Sequence, residues 1–239
     1  MKVINSLLFL FAVVSAVFGD ACPVQRNPNN CDPSRAATDY IACLSDFFRR
    51  QVKPWEPVFV ASGGTGQPIY DSWKSTGQSC TMRPDDLRVP CGCTWKSYKV
   101  DVWEELLIGE VRVEFYKNKR IVAFAEFNAT DSTKMNWFSP ERLGANSWTD
   151  LNPNNVTATT NIFSLGGDPN TDRRFFISAK YGGCPNDRLW MVIVDRRAIN
   201  KYCPYDQASG TPRLYYAPGN TRTSGSSLGT ADQMAIFVR

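Results

Sequence analysis

The chain contains no histidine among its 239 residues. Histidine is the general base of Ser-His-Asp and Cys-His sites, so both of these hydrolase mechanisms are excluded. The zinc protease motif built on two histidines is excluded as well, together with histidine-rich copper and iron sites. Among hydrolases, those that work with two carboxylates, as glycosidases do, stay open to this sequence.

Motifs of other catalytic classes are also missing. The chain has no Walker A loop, no dinucleotide fingerprint and no S-x-x-K motif. The neighbours Asp85-Asp86 and Glu104-Glu105 would point to opposite faces of a strand, so neither forms a glycosidase pair, whereas Glu110 and Glu126 could face each other across a sheet. We therefore predict a non-enzymatic protein with no catalytic residue.

Long apolar runs are absent except at the N-terminus. Residues 4–18 are mostly apolar, follow Met1-Lys2 and precede Gly19, a pattern typical of a secretory signal peptide. The run is too short and wrongly flanked for a membrane span. We expect cleavage between Gly19 and Asp20 and a secreted, extracellular product without a membrane span.

The net charge is small, with only a slight excess of basic residues. The 27 Lys and Arg residues and 23 Asp and Glu residues give a formal charge of +4, and basic residues occur in pairs rather than in long blocks. A protein that binds nucleic acid usually shows a strong basic footprint. The sequence therefore predicts no nucleic-acid partner.

All eight cysteines follow the predicted signal peptide. An even number in an oxidising compartment predicts four disulfides. The favoured pair is Cys184 with Cys203, with three bridges among the rest, and Cys91 and Cys93 should each reach a distant partner. A metal site at these thiols is disfavoured because secretion oxidises them. The eight are Cys22, Cys31, Cys43, Cys80, Cys91, Cys93, Cys184 and Cys203.

Many short strands separated by turn residues predict a mainly β fold. We assign a signal peptide to residues 1–19, a cysteine-rich region with one short helix near 36–48 to residues 20–93, and an antiparallel β-sandwich-like domain to residues 94–239. A hairpin is predicted over 112–127 with a loop at 117–120. Further strands are predicted at 161–165, 174–178, 189–194, 213–216 and 234–238, of which 189–194 and 234–238 are apolar on both faces and should be central.

Two sequons and one acidic turn suggest modifications or ligands. Asn128-Ala129-Thr130 and Asn155-Val156-Thr157 predict glycosylation at Asn128 and Asn155. Asp168, Asn170 and Asp172 place oxygens at alternate positions, as a calcium loop does. The turn glycine and closing glutamate of a helix–loop–helix calcium site are missing, and the same residues also form ordinary turns. Ca²⁺ is the one cofactor that the sequence suggests.

Seven tryptophans and nine tyrosines are many for a soluble chain. Aromatic rings stack on sugars while nearby polar side chains bind hydroxyl groups. Several of these residues fall in turn-rich segments, although burial in a core is the ordinary fate of any one aromatic ring. The candidate ligand-binding residues are Trp137, Trp148, Tyr181, Asn186, Asp187 and Arg188.

Secretion, cysteine layout and aromatic content favour three functions, in order. The first is a disulfide-bonded, lectin-like binding protein that recognises glycans through aromatic-bearing loops. The second is a structural protein of extracellular matrix or mucus that assembles with itself or with matrix components. The third is a histidine-free glycoside hydrolase that depends on carboxylates.

Overall fold

The computed structural model describes residues 38–39, 41, 54–76, 80, 83–156, 161–196, 203–207 and 209–239. The chain divides into two compact units, Met1–Pro54 and Trp55–Arg239. The predicted signal peptide lies outside the described residues. Within the predicted helix at 36–48, only Thr38, Asp39 and Ile41 are described, and all three are helical.

The second unit is mainly β with two antiparallel sheets, as predicted, and it begins well before residue 94. Residues 55–93, which the sequence placed in a separate cysteine-rich region, supply its first strand and its helix. The strands are β1 (Glu56–Ser62), β2 (Trp95–Lys96), β3 (Glu110–Lys117), β4 (Arg120–Asn128), β5 (Leu143–Asn146), β6 (Phe163–Ser164), β7 (Arg173–Lys180), β8 (Arg188–Val194), β9 (Arg213–Tyr216), β10 (Thr223–Ser224), β11 (Gly229–Ala231) and β12 (Gln233–Val238).

The two strands that are apolar on both faces lie in the interior of the two sheets. The first sheet has the order β2-β1-β12-β3-β4-β5, and the second has β11-β9-β8-β7-β6 with β10 paired to β8. The strands predicted to be central, β12 and β8, each have neighbours on both sides. The hairpin of β3 and β4 is also where the sequence placed it, with Lys117 opposite Arg120 at its end.

An aromatic core lies between the two sheets. Six of the seven tryptophans are buried, five of them in this core. Trp73 packs edge to face on Phe59 and on Trp137, with ring centroids 5.3 and 5.7 Å apart. Such pairs stabilise a core by about 0.5–1.5 kcal/mol each beyond the area that they bury. Most tryptophans therefore belong to the core, including Trp137 and Trp148, which the sequence predicted to bind a ligand.

Each sheet also has apolar residues on its outer face, and a disulfide-bonded loop covers them. Val60, Trp95 and Ala235 of the first sheet form a small cluster with Cys80, and Cys80 is bonded to Cys93. The second sheet packs a larger cluster against the segment that contains the bond between Cys184 and Cys203. The two loops explain why β12 and β8 are apolar on both faces although no helix in the described part of the chain covers their outer faces.

The described part of the second unit has one α-helix, α1 (Ile69–Lys74), which the sequence did not predict. No side chain next to it in the chain caps its first turn. The carboxylate of Asp195, at the end of β8, accepts hydrogen bonds from the backbone N–H groups of Ile69 and Tyr70 at 2.8 Å each. The cap thus comes from a residue about 125 positions away, which local patterns cannot reveal. No helix in the described stretches is long and apolar enough to cross a membrane.

Candidate functional site

Several predicted site residues meet at Arg173, a buried arginine at the start of β7. Its Nε and Nη2 atoms bind the two carboxylate oxygens of Asp206 at 2.9 and 2.7 Å, and its Nη1 lies 3.4 Å from Oδ2 of Asp187. All three side chains are at most 2% exposed. We call Arg173, Asp187, Asp206, Tyr181 and Tyr205 the Arg173 cluster.

Two tyrosines complete the Arg173 cluster. The guanidinium carbon of Arg173 lies 4.7 Å from the ring centre of Tyr205 and 5.0 Å from that of Tyr181. The Tyr205 hydroxyl donates to Oδ2 of Asp187 at 2.8 Å, and the Tyr181 hydroxyl donates to Asp168. Tyr181 and Asp187 of the predicted ligand-binding loop therefore lie close to Asp168 of the predicted calcium turn. Their polar groups are used in contacts with other protein side chains rather than left free for a ligand.

The disulfide between Cys184 and Cys203, the pair that the sequence favoured, holds this arrangement together. Arg173 Nη2 contacts the Cys203 sulfur at 3.2 Å, and the Cys203 N–H donates to Asp206 at 2.9 Å. Closing a loop of this size stabilises a fold by about 3 kcal/mol. The bond and the ion pairs together fix the loop onto the outer face of the second sheet.

The electrostatics of the Arg173 cluster oppose acid–base chemistry near neutral pH. Burial alone would lower the pKa of Arg173, but the hydrogen bonds that it donates to Asp206 raise this pKa above its usual range. Burial and the bond to Asp187 raise the pKa of Tyr205, and burial and the bond to Asp168 raise that of Tyr181 to about 12. Arg173 and the two tyrosines therefore keep their ordinary charge states near neutral pH, which suits a structural role.

The two tryptophans predicted to bind a ligand are in the core. Trp137 is fully buried and Trp148 is 3% exposed, with its indole N–H donating to the Ala217 carbonyl at 3.0 Å. Neither ring has a free face for a sugar. In the Tyr181–Arg188 loop, Asn186 is exposed, Tyr181 and Arg188 are half-buried, and Asp187 is fully buried. The structure therefore does not bring the six predicted ligand-binding residues to one surface.

The predicted calcium residues have different partners. Asp168 accepts hydrogen bonds from Asn170 N–H and from the Thr171 hydroxyl, whereas the Asp172 carboxylate faces Arg174 at 3.0 Å. Burial would raise the pKa of Asp168, but the bonds from Tyr181, Asn170 and Thr171 lower it. A guanidinium on Asp172 opposes a cation at the same place. The geometry therefore gives calcium no support at this turn.

A third sulfur lies beside the bond between Cys80 and Cys93. Cys91 is half-buried, its thiol donates to the Cys93 carbonyl at 3.1 Å, and the three sulfurs lie within 4.8 Å of one another. Because two of the three share a disulfide, they do not form a set of thiolate ligands. Cys22, Cys31 and Cys43 lie outside the described residues.

The two predicted glycosylation sites differ in what can be described. Asn128 is exposed at the end of β4, and its side-chain oxygen accepts a hydrogen bond from the Thr130 N–H at 2.9 Å. Its amide nitrogen, the atom that carries a glycan, makes no hydrogen bond to a described residue. The side chain of Asn155 lies outside the described part. Glycosylation of both stays a prediction.

The turn between β3 and β4 is the charged surface that sequence reasoning missed. Asn118 and Lys119 adopt positive φ angles of 50° and 63° and form a two-residue turn. Lys119 and Arg120 are exposed, and neither makes an ion pair or a hydrogen bond with any described residue. We call Lys117, Lys119, Arg120 and the nearby Arg88 the basic tip. The three cations in the stretch 117–120 could have indicated this charged surface, but the sequence predicted only a hairpin loop there.

Comparison with known proteins gives no relative. No family model, curated protein or solved structure matches this chain. The function must therefore be inferred from the chemistry of the residues described above.

Asp195 is the side chain whose titration should be visible near neutral pH. Burial raises its pKa to about 6, against the two backbone hydrogen bonds from α1 and the charge of Arg174. A carboxyl group whose pKa is higher in the folded state stabilises the fold most below its unfolded pKa of about 4, and this contribution is lost as pH rises through about 6. The chain has no histidine to titrate in that window.

We therefore expect the free energy of unfolding to fall by about 2 kcal/mol between pH 4.5 and 7.5, and Asp195→Asn to remove most of this slope. Urea unfolding at several pH values, with the disulfides intact, measures both. Equal slopes for the two proteins would contradict the role of Asp195.

Proposed function

We propose that the mature chain is a secreted, disulfide-bonded and non-enzymatic protein that binds extracellular glycans in a lectin-like manner. The main support for the proposal is the contrast between polar side chains that bind one another and charged side chains that are exposed. The acids and rings of the Arg173 cluster bind one another, whereas the cations Lys119 and Arg120 are exposed without a described partner. A rigid scaffold that presents unpaired charge supports binding rather than bond cleavage.

The glycoside hydrolase alternative depends on a free pair of carboxylates. Glu126, which the sequence paired with Glu110, lies opposite Arg112 instead. Arg112 binds Glu114 at 2.5 Å and Glu126 at 2.6 Å, and so joins the two acids through one guanidinium. A glycosidase needs one carboxyl group as an acid and the other free to attack or to activate water. The shared arginine disfavours both roles.

The matrix alternative depends on surfaces that can assemble. Exposed sheet edges are the usual sites of pairing between chains, and short edge strands limit it. Among the described elements, the edges are β2, β6 and β10 with two residues each, β11 with three and β5 with four. Assembly by strand pairing is therefore disfavoured relative to glycan binding.

A glycan array probed with the mature protein tests the proposal. We expect binding to a subset of acidic glycans, unchanged by a chelator because no calcium is needed. The matrix alternative predicts no glycan binding and multimers that survive dilution in size-exclusion chromatography. The hydrolase alternative predicts turnover of a glycoside that fails in Glu126→Gln. Absence of binding to any glycan would refute the proposal.

A further inference from the structure

The basic tip has a backbone that its sequence does not favour. A turn in which both central residues have positive φ prefers Asn followed by Gly, because side chains crowd the backbone in the left-handed region. Here Asn118 fits, but Lys119 occupies the second position with φ of 63°. Glycine there would make the hairpin more stable. A lysine at this less favourable position is explained if its positive charge takes part in binding a ligand.

The basic tip also places like charges together. Lys117 and Arg120 lie directly opposite each other at the end of the hairpin. Like charges in such cross-strand pairs destabilise a sheet. Arg88 adds a further cation in this region, because the carbonyl of its neighbour Leu87 accepts a hydrogen bond from Gln233 at 2.6 Å, and Gln233 lies opposite Tyr116 of β3. Two departures from the most stable hairpin thus occur within four residues, and such departures concentrate at functional sites.

Asp232 orients the basic tip. Its carboxylate binds Lys117 Nζ at 2.6 Å and the Asn118 N–H at 3.0 Å, and its own N–H donates to the Tyr116 carbonyl at 2.8 Å. Asp86 binds Arg88 in the same region. Four cations thus meet two carboxylates, and the two cations without a described partner, Lys119 and Arg120, point into solvent on a fixed turn.

We propose that the basic tip is the binding site for a polysaccharide that carries sulfate or carboxylate groups. This inference rests on the proposed function and names its site and ligand class. Lys119 and Arg120 bind the anionic groups, while Ile121, which is 49% exposed, offers an apolar contact to a sugar ring. Asp232 holds the turn in place through its bonds to Lys117 and Asn118.

The test uses one polymer with different charges: dextran sulfate, carboxymethyl dextran and uncharged dextran. The variant Lys119→Gly/Arg120→Thr removes both unpaired cations. Lys74→Gln/Lys180→Gln is the matched control, since it removes the same charge from exposed lysines on α1 and β7. Glycine adopts the positive φ of residue 119 without steric strain, so the tip variant should melt at the same temperature as the wild type or about 2–4 °C higher. Weaker binding could not then be attributed to unfolding.

We expect the wild-type protein to bind at least one of the two charged dextrans but not the uncharged one, with weaker binding at high salt. The tip variant should lose about tenfold or more in affinity, and the control about twofold at most. Equal losses in both variants, or none in the tip variant, would overturn the inference. If the wild type binds array glycans but no charged dextran, the tip inference fails and the proposed function stands. If it binds no glycan of any kind, both fail.

Discussion

Arg173→Ala should lower the free energy of unfolding by about 3–5 kcal/mol, as expected when one partner of a buried ion pair is removed. The variant leaves Asp187 and Asp206, both fully buried, without their guanidinium partner. It also removes the cation between Tyr181 and Tyr205. Urea unfolding with disulfides intact measures the loss. Arg196→Ala is the control, because its ion pair with Asp71 is exposed and should contribute at most about 1 kcal/mol.

The loss in Arg173→Ala should depend on pH in a way that simple loss of packing would not. Without the guanidinium, the two aspartates would be buried negative charges with no counter-charge, which costs stability whenever they are ionised. Lower pH favours the uncharged form of a buried carboxyl group and so reduces this cost. The deficit relative to wild type should therefore be smaller at pH 4.5 than at pH 7.5. An equal deficit at both pH values would show that charge is not the cause.

Trp137→Ala should be similarly damaging, with a loss of about 3–5 kcal/mol for a large aromatic side chain removed from a core. Trp137 is fully buried, stacks on Trp103 with centroids 6.1 Å apart, and packs edge to face on Phe127 at 5.3 Å. Thermal unfolding measures the effect. Trp55→Ala is the control, because the ring of Trp55 is only half-buried and its contact with Arg239 contributes about 1 kcal/mol.

Trp137→Phe separates a core role from a ligand-stacking role. Phenylalanine keeps most of the apolar volume, so the fold should survive with a smaller loss of stability. Binding to the acidic glycans of the array should then be unchanged. If the Trp137→Phe protein folds but binds these glycans much more weakly, Trp137 contacts the ligand, as the sequence predicted.

The strands could be predicted because their pattern is local. β8 and β12 have apolar residues at consecutive positions, and this alone indicated central strands covered on both sides. The β3–β4 hairpin followed from alternation around a polar turn. The Cys184–Cys203 pair followed from its isolation in the sequence. Each of these inferences needed only neighbouring residues or a count.

The site could not be predicted because long-range packing decides it. Trp137 and Trp148 lie in turn-rich segments, which usually run over the surface, yet these segments pack their tryptophans into the core. Asp187 follows a glycine-rich stretch that predicted exposure, but Arg173 and Tyr205 hold it inside. The cap of α1 by Asp195 is equally distant in sequence. In each case the deciding partner is a residue that no local pattern identifies.

The most direct test of the account is a map of where an acidic glycan binds. Amide resonances of the isotope-labelled mature protein would be followed by NMR during titration with a short sulfated oligosaccharide. We expect shifts confined to residues 117–121, Arg88 and Asp232, because the cations of the basic tip and the carboxylate that holds its turn lie there. Shifts centred on the Tyr181–Arg188 loop, or no shifts under conditions where wild-type protein binds the array, would contradict it.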